Sequence, residues 1–189
     1  SVCFMVTRPK LREVFAANFR DRIVHHILIH YLMSNFESLF IKNSFSCMKG
    51  RGTLYGVKKL KEAMERHPKG YVFKFDLKGF FMSINKKLLC KMLLKYIDQT
   101  VAIVDKDRAE FLKHIAKLIV LNHPEINCII KGNPNLWTKL PKHKSLFTTD
   151  PRLGLAIGNL TSQLFAGFEL DGFDKFMYKE FGDDYGRYV

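Results

Sequence analysis

The sequence is poor in cysteine, and the cysteines it has are far apart. Only four occur among 189 residues, and none forms a Cys-x-x-Cys pair: Cys3, Cys47, Cys90 and Cys128. This spacing predicts neither a zinc site nor a disulfide framework. Reduced thiols in a cytoplasm are the simplest interpretation.

Long apolar runs are also lacking. No stretch approaches the roughly 20 residues that cross a bilayer. At the N-terminus, no charged segment is followed by an apolar run and a small-residue cleavage site, so we expect no signal peptide. Hydrophobic residues make up 47% and charged residues 26%, which is ordinary for a soluble globular protein. The length suffices for one sizeable core or two small ones.

Acidic residues are few relative to basic ones. The 18 Asp and Glu residues compare with 31 Lys and Arg residues, which gives a formal net charge of +13. Because like charges repel, such an excess does not help folding, and it indicates a polyanionic partner. Nucleic acid and an anionic membrane surface both fit that description.

Along the chain, segments with a strand pattern alternate with segments with a helix pattern. Alternating apolar residues predict strands over 12–17 and 70–76. Helical spacing predicts helices over 19–33, after an N-cap at Thr53, over 85–97 after an N-cap at Asn85, over 106–121 and over 160–181. Residues 43–53 are predicted to form a loop or hairpin, 122–153 an irregular insertion, and 185–189 the start of a further element. The mixture predicts an α+β fold.

The predicted strand at 70–76 ends in an aspartate, within the run FDLKGFF at 75–81. An aspartate at the end of an apolar strand is held rigidly, where it can bind a divalent metal together with the carbonyl of the next residue. Two-metal phosphoryl transfer uses such a carboxylate to place the ions at the attacking and leaving oxygens. The alternative is that Asp76 only begins a turn.

A second run, GLAIGNLTSQ at 154–163, leads into the predicted helix at 160–181. Gly158 precedes that helix, and its lack of a side chain allows another backbone or a base pair to come close. Free amides at a helix N-terminus suit phosphate. Glycine and asparagine are also ordinary residues at helix starts, which is the alternative interpretation.

Basic residues surround the predicted loop at 43–53. Lys49 and Arg51 lie at its glycine-bearing tip, and Arg12, Arg20 and Arg22 precede it. Flexible basic tips bind phosphates, and arginine can do so bidentately. The alternative for any one of these residues is a surface ion pair with a neighbouring aspartate.

The serial order of these runs resembles that of the reverse transcriptase motifs. A basic strand, a GxGT-like hairpin, FxDLxxFF, IGNxTSQ and RYV follow one another along nearly the whole chain. The IGNxTSQ form, in place of QGxxxSP, is similar to the reverse transcriptases of diversity-generating retroelements, and KSLF at 144–147 agrees. The resemblance implies right-hand polymerase fingers at 1–69 and a partial palm at 70–189. That palm would have an antiparallel sheet with packed helices and a helical, basic insertion from about 98 to 153.

The resemblance also implies roles for single residues. Asp76 would be catalytic and bind two Mg²⁺ ions with the carbonyl of Leu77, and Phe81 would exclude a 2′-hydroxyl. The incoming dNTP would meet Arg12, Lys10, Phe81, Ile157, Gly158 and Gln163. Nucleic-acid contacts are expected at Arg20, Arg22, Lys49, Arg51, Lys139, Lys142 and Lys144. The whole enzyme would copy template RNA into DNA, forming an RNA–DNA duplex, in a bacterial or phage-encoded cytoplasmic setting. A small basic accessory protein would assist it.

Some positions depart from the family pattern or imitate it. Ala156 stands where relatives usually have proline, and Met48 stands where they usually have arginine. Asp183 and Asp184 imitate the family's Asp-Asp signature, but an amphipathic helix precedes them and only 25 positions separate Gly158 from Asp183. The resemblance instead implies that the catalytic pair follows Val189, that Asp183 and Asp184 form a solvated turn, and that residues 1–189 alone are inactive.

Two other classes stay open at this point. One is a related enzyme, such as a group II intron maturase or a retron reverse transcriptase. The other is a non-catalytic RNA-binding protein with a decayed palm. The residues that follow Val189 would separate these classes. His25, His26 and His30 have no ligand spacing and are expected in helix packing and at the surface.

Overall fold

The computed structural model describes residues 1–188 and has an α+β fold, as predicted. Its strands are β1 (Val2–Val6), β2 (Arg12–Ala16) and β3 (Ile129–Lys131). Its helices are α1 (Phe19–Leu39), α2 (Thr53–Arg66), α3 (Phe80–Ser83), α4 (Lys86–Thr100), α5 (Lys106–Val120), α6 (Leu160–Glu169) and α7 (Asp171–Phe181). Short 3-10 turns occupy Pro134–Lys139, Lys142–Lys144, Leu146–Thr148 and Gly182–Asp184. Among the described residues, no helix has the length and apolar character needed to cross a membrane.

The chain forms two compact units whose segments interleave in sequence. The first unit contains 1–31 and 79–162, and the second contains 32–78 and 163–188. The two units are defined by contacts between residues, and each contains segments that are separated in sequence. The boundary predicted near residue 69 instead divides the chain into consecutive fingers and palm regions, and it stays a prediction.

The sheet of the first unit is mixed, whereas the resemblance implied an antiparallel sheet. Its order is β2-β1-β3, with β1 antiparallel to β2 and parallel to β3. Strand β2 was predicted, whereas β1 and β3 were not. Strand β3 depends on a partner far away in the sequence, since Ile129 pairs with Val2, whereas β1 also pairs with the nearby β2.

The core of the first unit has two parts. One is a cluster of Cys3, Phe15, Met82 and Leu146, on which the sheet and the irregular insertion meet. The other lies between α4 and α5, which pack on each other and bury apolar residues at helical spacing: Leu89, Leu93, Ile97, Ala109, Leu112 and Ala116. Both helices were predicted, and the predicted N-cap is present because Asn85 accepts from the Leu88 amide at 3.0 Å.

The second unit is held by aromatic packing. The Phe36 ring lies 5.5 Å from both the Phe40 and Phe168 rings, measured between centroids. The predicted single helix over 160–181 is interrupted at Leu170, which separates α6 from α7. A continuous helix would give the Gly167 carbonyl to the amide four residues on. Here that carbonyl lies 3.5 Å from the Arg187 guanidinium, which donates to it.

Helix α2 begins where predicted but is capped differently. Its N-cap is Gly52, and the Thr53 hydroxyl lies 3.0 Å from the Tyr188 hydroxyl instead of bonding the helix amides. The residues predicted to share one face of this helix are all about half exposed or more: Leu54, Val57, Leu60 and Met64. The helix therefore forms without burying its apolar face within the described residues.

The strand predicted over 70–76 is wrong for the described part of the chain. Residues 71–77 have no regular secondary structure and are all exposed. A strand needs a partner for its amide and carbonyl groups, and no described residue forms a backbone hydrogen bond with this segment. The alternating sequence is therefore present without the pairing that would make it a strand.

Candidate nucleotide and nucleic-acid interface

Two of the predicted site residues meet around one buried cluster in the first unit. Phe81 and Ile157 are both partly buried and pack against the cluster of Cys3, Phe15, Met82 and Leu146. Their backbones are also tied in place, since the Leu155 amide donates to the Phe81 carbonyl at 2.8 Å and the Phe15 amide to the Ile157 carbonyl at 2.7 Å. Residues from the FDLKGFF and IGNLTSQ runs thus share one wall with strand β2.

Gly158 lies on the same wall in a conformation that requires glycine. Its φ is +125°, and a Cβ atom at this position would lie 2.8 Å from both the Phe15 carbonyl oxygen and the Val14 Cγ1 atom. The close backbone approach predicted for Gly158 is therefore present. The approaching group is strand β2 of the same chain.

Glu13 is a buried residue at this wall that the sequence analysis missed. It is 1% exposed, and its carboxylate accepts from the Trp137 indole at 2.8 Å, the Ser145 hydroxyl at 2.8 Å and the Leu146 amide at 2.7 Å. A buried carboxylate is tolerated when donors satisfy it in this way. The sequence signal was a lone acid inside an apolar strand, together with the chain's single tryptophan.

The predicted nucleotide-binding cations stand next to this region of the fold. Arg12 pairs with Val6 at the start of β2 and is exposed. Neighbouring strand residues alternate faces, so its side chain leaves the sheet on the side opposite to Glu13. Lys10 is also exposed in the turn between β1 and β2.

The predicted basic run is exposed and reaches the segment just before Phe81. Lys139, Lys142 and Lys144 lie on the 3-10 turns and are all exposed. A Cβ atom at Gly79 would lie 2.9 Å from the His143 carbonyl oxygen, which shows how closely the run approaches the chain there. The run therefore flanks the wall that holds Phe81.

Arg20 and Arg22 project from the first turn of α1 and are exposed. Neither takes part in an ion pair with a described residue. Further along this helix, His25 has packing contacts as expected, because its Nδ1 atom lies 2.6 Å from the Thr161 hydroxyl. Burial lowers the pKa of His25 from its ordinary value.

The predicted basic hairpin belongs to the second unit and is partly committed to internal contacts. Lys49 is exposed, whereas the Arg51 guanidinium donates to the Ile41 carbonyl at 3.1 Å. Gln163 is exposed on α6, and its side-chain carbonyl accepts from the Cys47 thiol at 3.1 Å. Met48, at the position where relatives have arginine, is buried. The free charge of this hairpin therefore comes from Lys49.

Asp76 and Leu77, the predicted metal ligands, lie on the exposed segment of the second unit. Asp76 forms no ion pair with a described residue, so its carboxylate oxygens are accessible. Across residues 1–188, no group of three or more histidine, cysteine or acidic side chains is placed to hold a metal ion. A single exposed carboxylate does not form a two-metal site without further ligands.

Asp183 and Asp184 lie on an exposed turn after α7, as predicted, but they are ion-paired. Lys42 contacts Asp183 at 2.9 Å, while Arg66 and His67 contact Asp184 at 2.5 and 2.8 Å. Hydrogen bonds from Tyr178 and Lys42 lower the pKa of Asp183, and those from Arg66 and His67 lower the pKa of Asp184. Cationic neighbours already occupy these carboxylates.

A buried ion pair fixes the segment that follows this turn. The Arg187 Nε atom donates to Asp174 at 2.6 Å, and both side chains are buried. The Tyr185 hydroxyl donates to the same carboxylate at 2.7 Å, and burial together with this bond raises the pKa of Tyr185. Two backbone hydrogen bonds complete the attachment, since the Arg187 amide donates to the Asn43 carbonyl and the Phe45 amide donates to the Arg187 carbonyl. Val189 lies outside the described residues.

Comparison with known protein families and with curated proteins finds no match to this sequence.

Proposed function

We propose that the chain is the fingers and part of the palm of an RNA-directed DNA polymerase, similar to the reverse transcriptases of diversity-generating retroelements. The observation that carries this proposal is the shared wall around Phe81. The motif runs that contain Phe81 and Ile157 are far apart in sequence, yet both residues pack on one cluster and bond to neighbouring backbone groups. A nucleotide pocket built from these runs requires that meeting.

In this proposal, the wall selects the nucleotide. Phe81 presents its ring to the sugar and excludes a 2′-hydroxyl by steric contact. Ile157 and Gly158 bound the space for the templating base pair, with Gln163 on the helix that follows. Arg12 and Lys10 bind the triphosphate through charge-assisted hydrogen bonds. Glu13 keeps the wall rigid by holding the segment 137–146 against β2.

Asp76 and the Leu77 carbonyl would hold Mg²⁺, together with an Asp-Asp pair that we place after Val189. The accessible, unpaired carboxylate of Asp76 fits a hard divalent cation, which prefers oxygen ligands. When bound, two Mg²⁺ ions stabilise the charge that develops on the attacking and leaving oxygens. Lys49, Arg51 and the exposed lysines of the 139–144 run would bind the phosphates of template RNA and of the RNA–DNA duplex.

The test is primer extension on an RNA template by the parent protein that includes the residues after Val189. Asp76→Asn keeps the side-chain shape but removes the metal-binding charge, so extension should fall at least about 100-fold, the scale of losing one electrostatic stabiliser of a transition state. RNA binding should be nearly unchanged. The matched control is Asp183→Asn with Asp184→Asn, which removes two exposed carboxylates and should leave extension intact.

Two results would contradict the proposal. If Asp76→Asn retained a tenth of normal extension, Asp76 would not be a metal ligand. If the control double variant were the inactive one, Asp183 and Asp184 would be the catalytic pair.

A further inference from the structure

Helix α4 carries a stripe of three lysines that the proposed function does not use. Lys87, Lys91 and Lys95 are spaced four residues apart and are all exposed. This spacing places them on one face of the helix. With a rise of 1.5 Å per residue, successive lysines are separated by about 6 Å along the axis.

The three charges of the α4 lysine stripe are not neutralised by the chain. None of the ion pairs between described residues includes a stripe lysine. The single acid of α4, Asp98, is already bound by Lys113 at 2.8 Å. Like charges four residues apart destabilise a helix slightly. The stripe is therefore a small cost to the isolated fold, and a bound anion would remove it.

The helix beneath the stripe is rigidly held. Its N-terminus is capped by Asn85, and Lys86 is buried with its ammonium donating to the Asn122 carbonyl at 3.0 Å. Leu89, Leu93 and Ile97 are fully buried on the opposite side. Because the helix is fixed, a partner can bind the three ammonium groups without ordering their backbone, which reduces the entropic cost of binding.

The buried apolar face of α4 also favours nucleic acid over an anionic membrane as the partner of the stripe. A helix that binds a membrane surface inserts its apolar face into the lipid while its basic face meets the headgroups. The apolar face of α4 is occupied by α5. A nucleic-acid strand needs only the charged face, because basic side chains bind its phosphates electrostatically.

We propose that the α4 lysine stripe is a second RNA-binding surface, in addition to the basic hairpin and the 139–144 run, whose three lysines contact backbone phosphates. The choice of RNA rests on the proposed function. Recognition of phosphates alone carries no sequence information, so this surface would hold structured or single-stranded RNA without regard to base sequence.

The experiment measures binding of a labelled, mixed-sequence 30-nucleotide RNA by fluorescence anisotropy between roughly 50 and 200 mM KCl. The test variant is Lys87→Gln/Lys91→Gln/Lys95→Gln. The matched control is Lys59→Gln/Lys61→Gln/Lys113→Gln, which removes three lysines that are ion-paired within the chain. Both triple variants lower the net charge equally. Circular dichroism and denaturation midpoints verify that each variant is folded.

The expected result is a smaller salt slope in the test variant only. Three lost phosphate contacts should reduce the slope of log affinity against log salt by about two units for single-stranded RNA, which corresponds to roughly 100-fold weaker binding near 0.1 M salt. Replacing the same three lysines by arginine should restore the wild-type slope.

Each other outcome overturns a distinct statement. An unchanged slope in the test variant, with wild type binding normally, rejects the stripe and leaves the proposed function standing. An equal loss in the control shows that only total charge matters and also rejects the stripe. If wild type binds no RNA at low salt, the RNA partner of the proposed function fails as well. Loss of binding to phosphatidylserine vesicles, with RNA binding unchanged, assigns the stripe to a membrane.

Discussion

Two regions of the molecule contain closely spaced phenylalanines but treat them in opposite ways. Phe80 and Phe81 have ring centroids 6.0 Å apart, and Phe81 packs against the buried cluster of the first unit. Phe73 and Phe75 have centroids 6.4 Å apart, yet these side chains are 78% and 82% exposed. The same kind of residue belongs to a buried core in one region, whereas in the other the two rings stack on each other and stay exposed to solvent.

An alternating apolar pattern therefore determines which face of a segment is apolar, but it does not determine which other segment that face packs against. The wall around Phe81 is completed by strand β2 and by residues 137–157 of the same unit. The segment 71–77 has an equally strong strand pattern, but no described residue pairs with its backbone. In the proposed function, the wall around Phe81 would select the nucleotide, and its packing is formed within the first unit. We expect the segment that bears Asp76 to adopt strand structure only when another strand pairs with its backbone.

Glu13→Ala should destabilise the wall around Phe81 more than any other change considered below. The change would leave three donors without their acceptor, and each unsatisfied buried donor costs about 1–3 kcal/mol. We expect the free energy of unfolding to fall by roughly 3–5 kcal/mol, measured by urea denaturation. The control is Arg12→Ala at the neighbouring exposed residue, which should change the free energy of unfolding by at most about 0.5 kcal/mol. Equal effects of the two variants would show that Glu13 does not hold the wall.

A smaller loss is expected for Gly158→Ala. The new Cβ atom would meet the Phe15 carbonyl at 2.8 Å, at a φ of +125° that side chains rarely adopt. A backbone conformation of this kind costs about 1–3 kcal/mol, and the contact should bring the loss to the upper end. Gly132→Ala separates the two causes, because its φ is +89° but no atom lies within 4 Å of the new Cβ. If both variants lost the same stability, the close approach of β2 would contribute nothing.

The smallest effect should come from changes in the exposed segment 71–77. Phe73→Ser with Phe75→Ser should alter the free energy of unfolding of the 189-residue chain by no more than about 0.5 kcal/mol, as for other surface changes. Phe36→Ser in the same unit removes a fully buried ring and should cost at least about 3 kcal/mol. Thermal or urea denaturation measures both. A large loss in the double variant would mean that 71–77 is packed in solution.

Local features of the fold could be predicted from the sequence. The helical spacing of Leu89, Leu93 and Ile97 indicated α4, and the asparagine before it indicated the cap, because both depend on neighbouring residues only. Strand β2 was found for the same reason. Helices α4 and α5 also need no partner beyond each other.

Features that depend on distant residues could not be predicted. Strand β3 pairs with β1 across more than a hundred residues. The break at Leu170 is associated with Arg187, whose guanidinium donates to the Gly167 carbonyl. Glu13 was not predicted as a site residue because the donors to its carboxylate are more than a hundred residues away in sequence. The predicted strand at 70–76 failed for the opposite reason, because its pattern was correct and its partner was missing from the described residues.

The bonds of Glu13 have a consequence for synthesis of the protein on the ribosome. Its donors follow it by 124 to 133 positions in the chain. At a synthesis rate of about 5–20 residues per second, Glu13 is made roughly 7 to 27 s before the last of them. During that interval the nascent β2 strand cannot bury its acid without an uncompensated charge. The N-terminal hairpin should therefore stay open to solvent until Leu146 has been made, and premature folding of the first unit is discouraged.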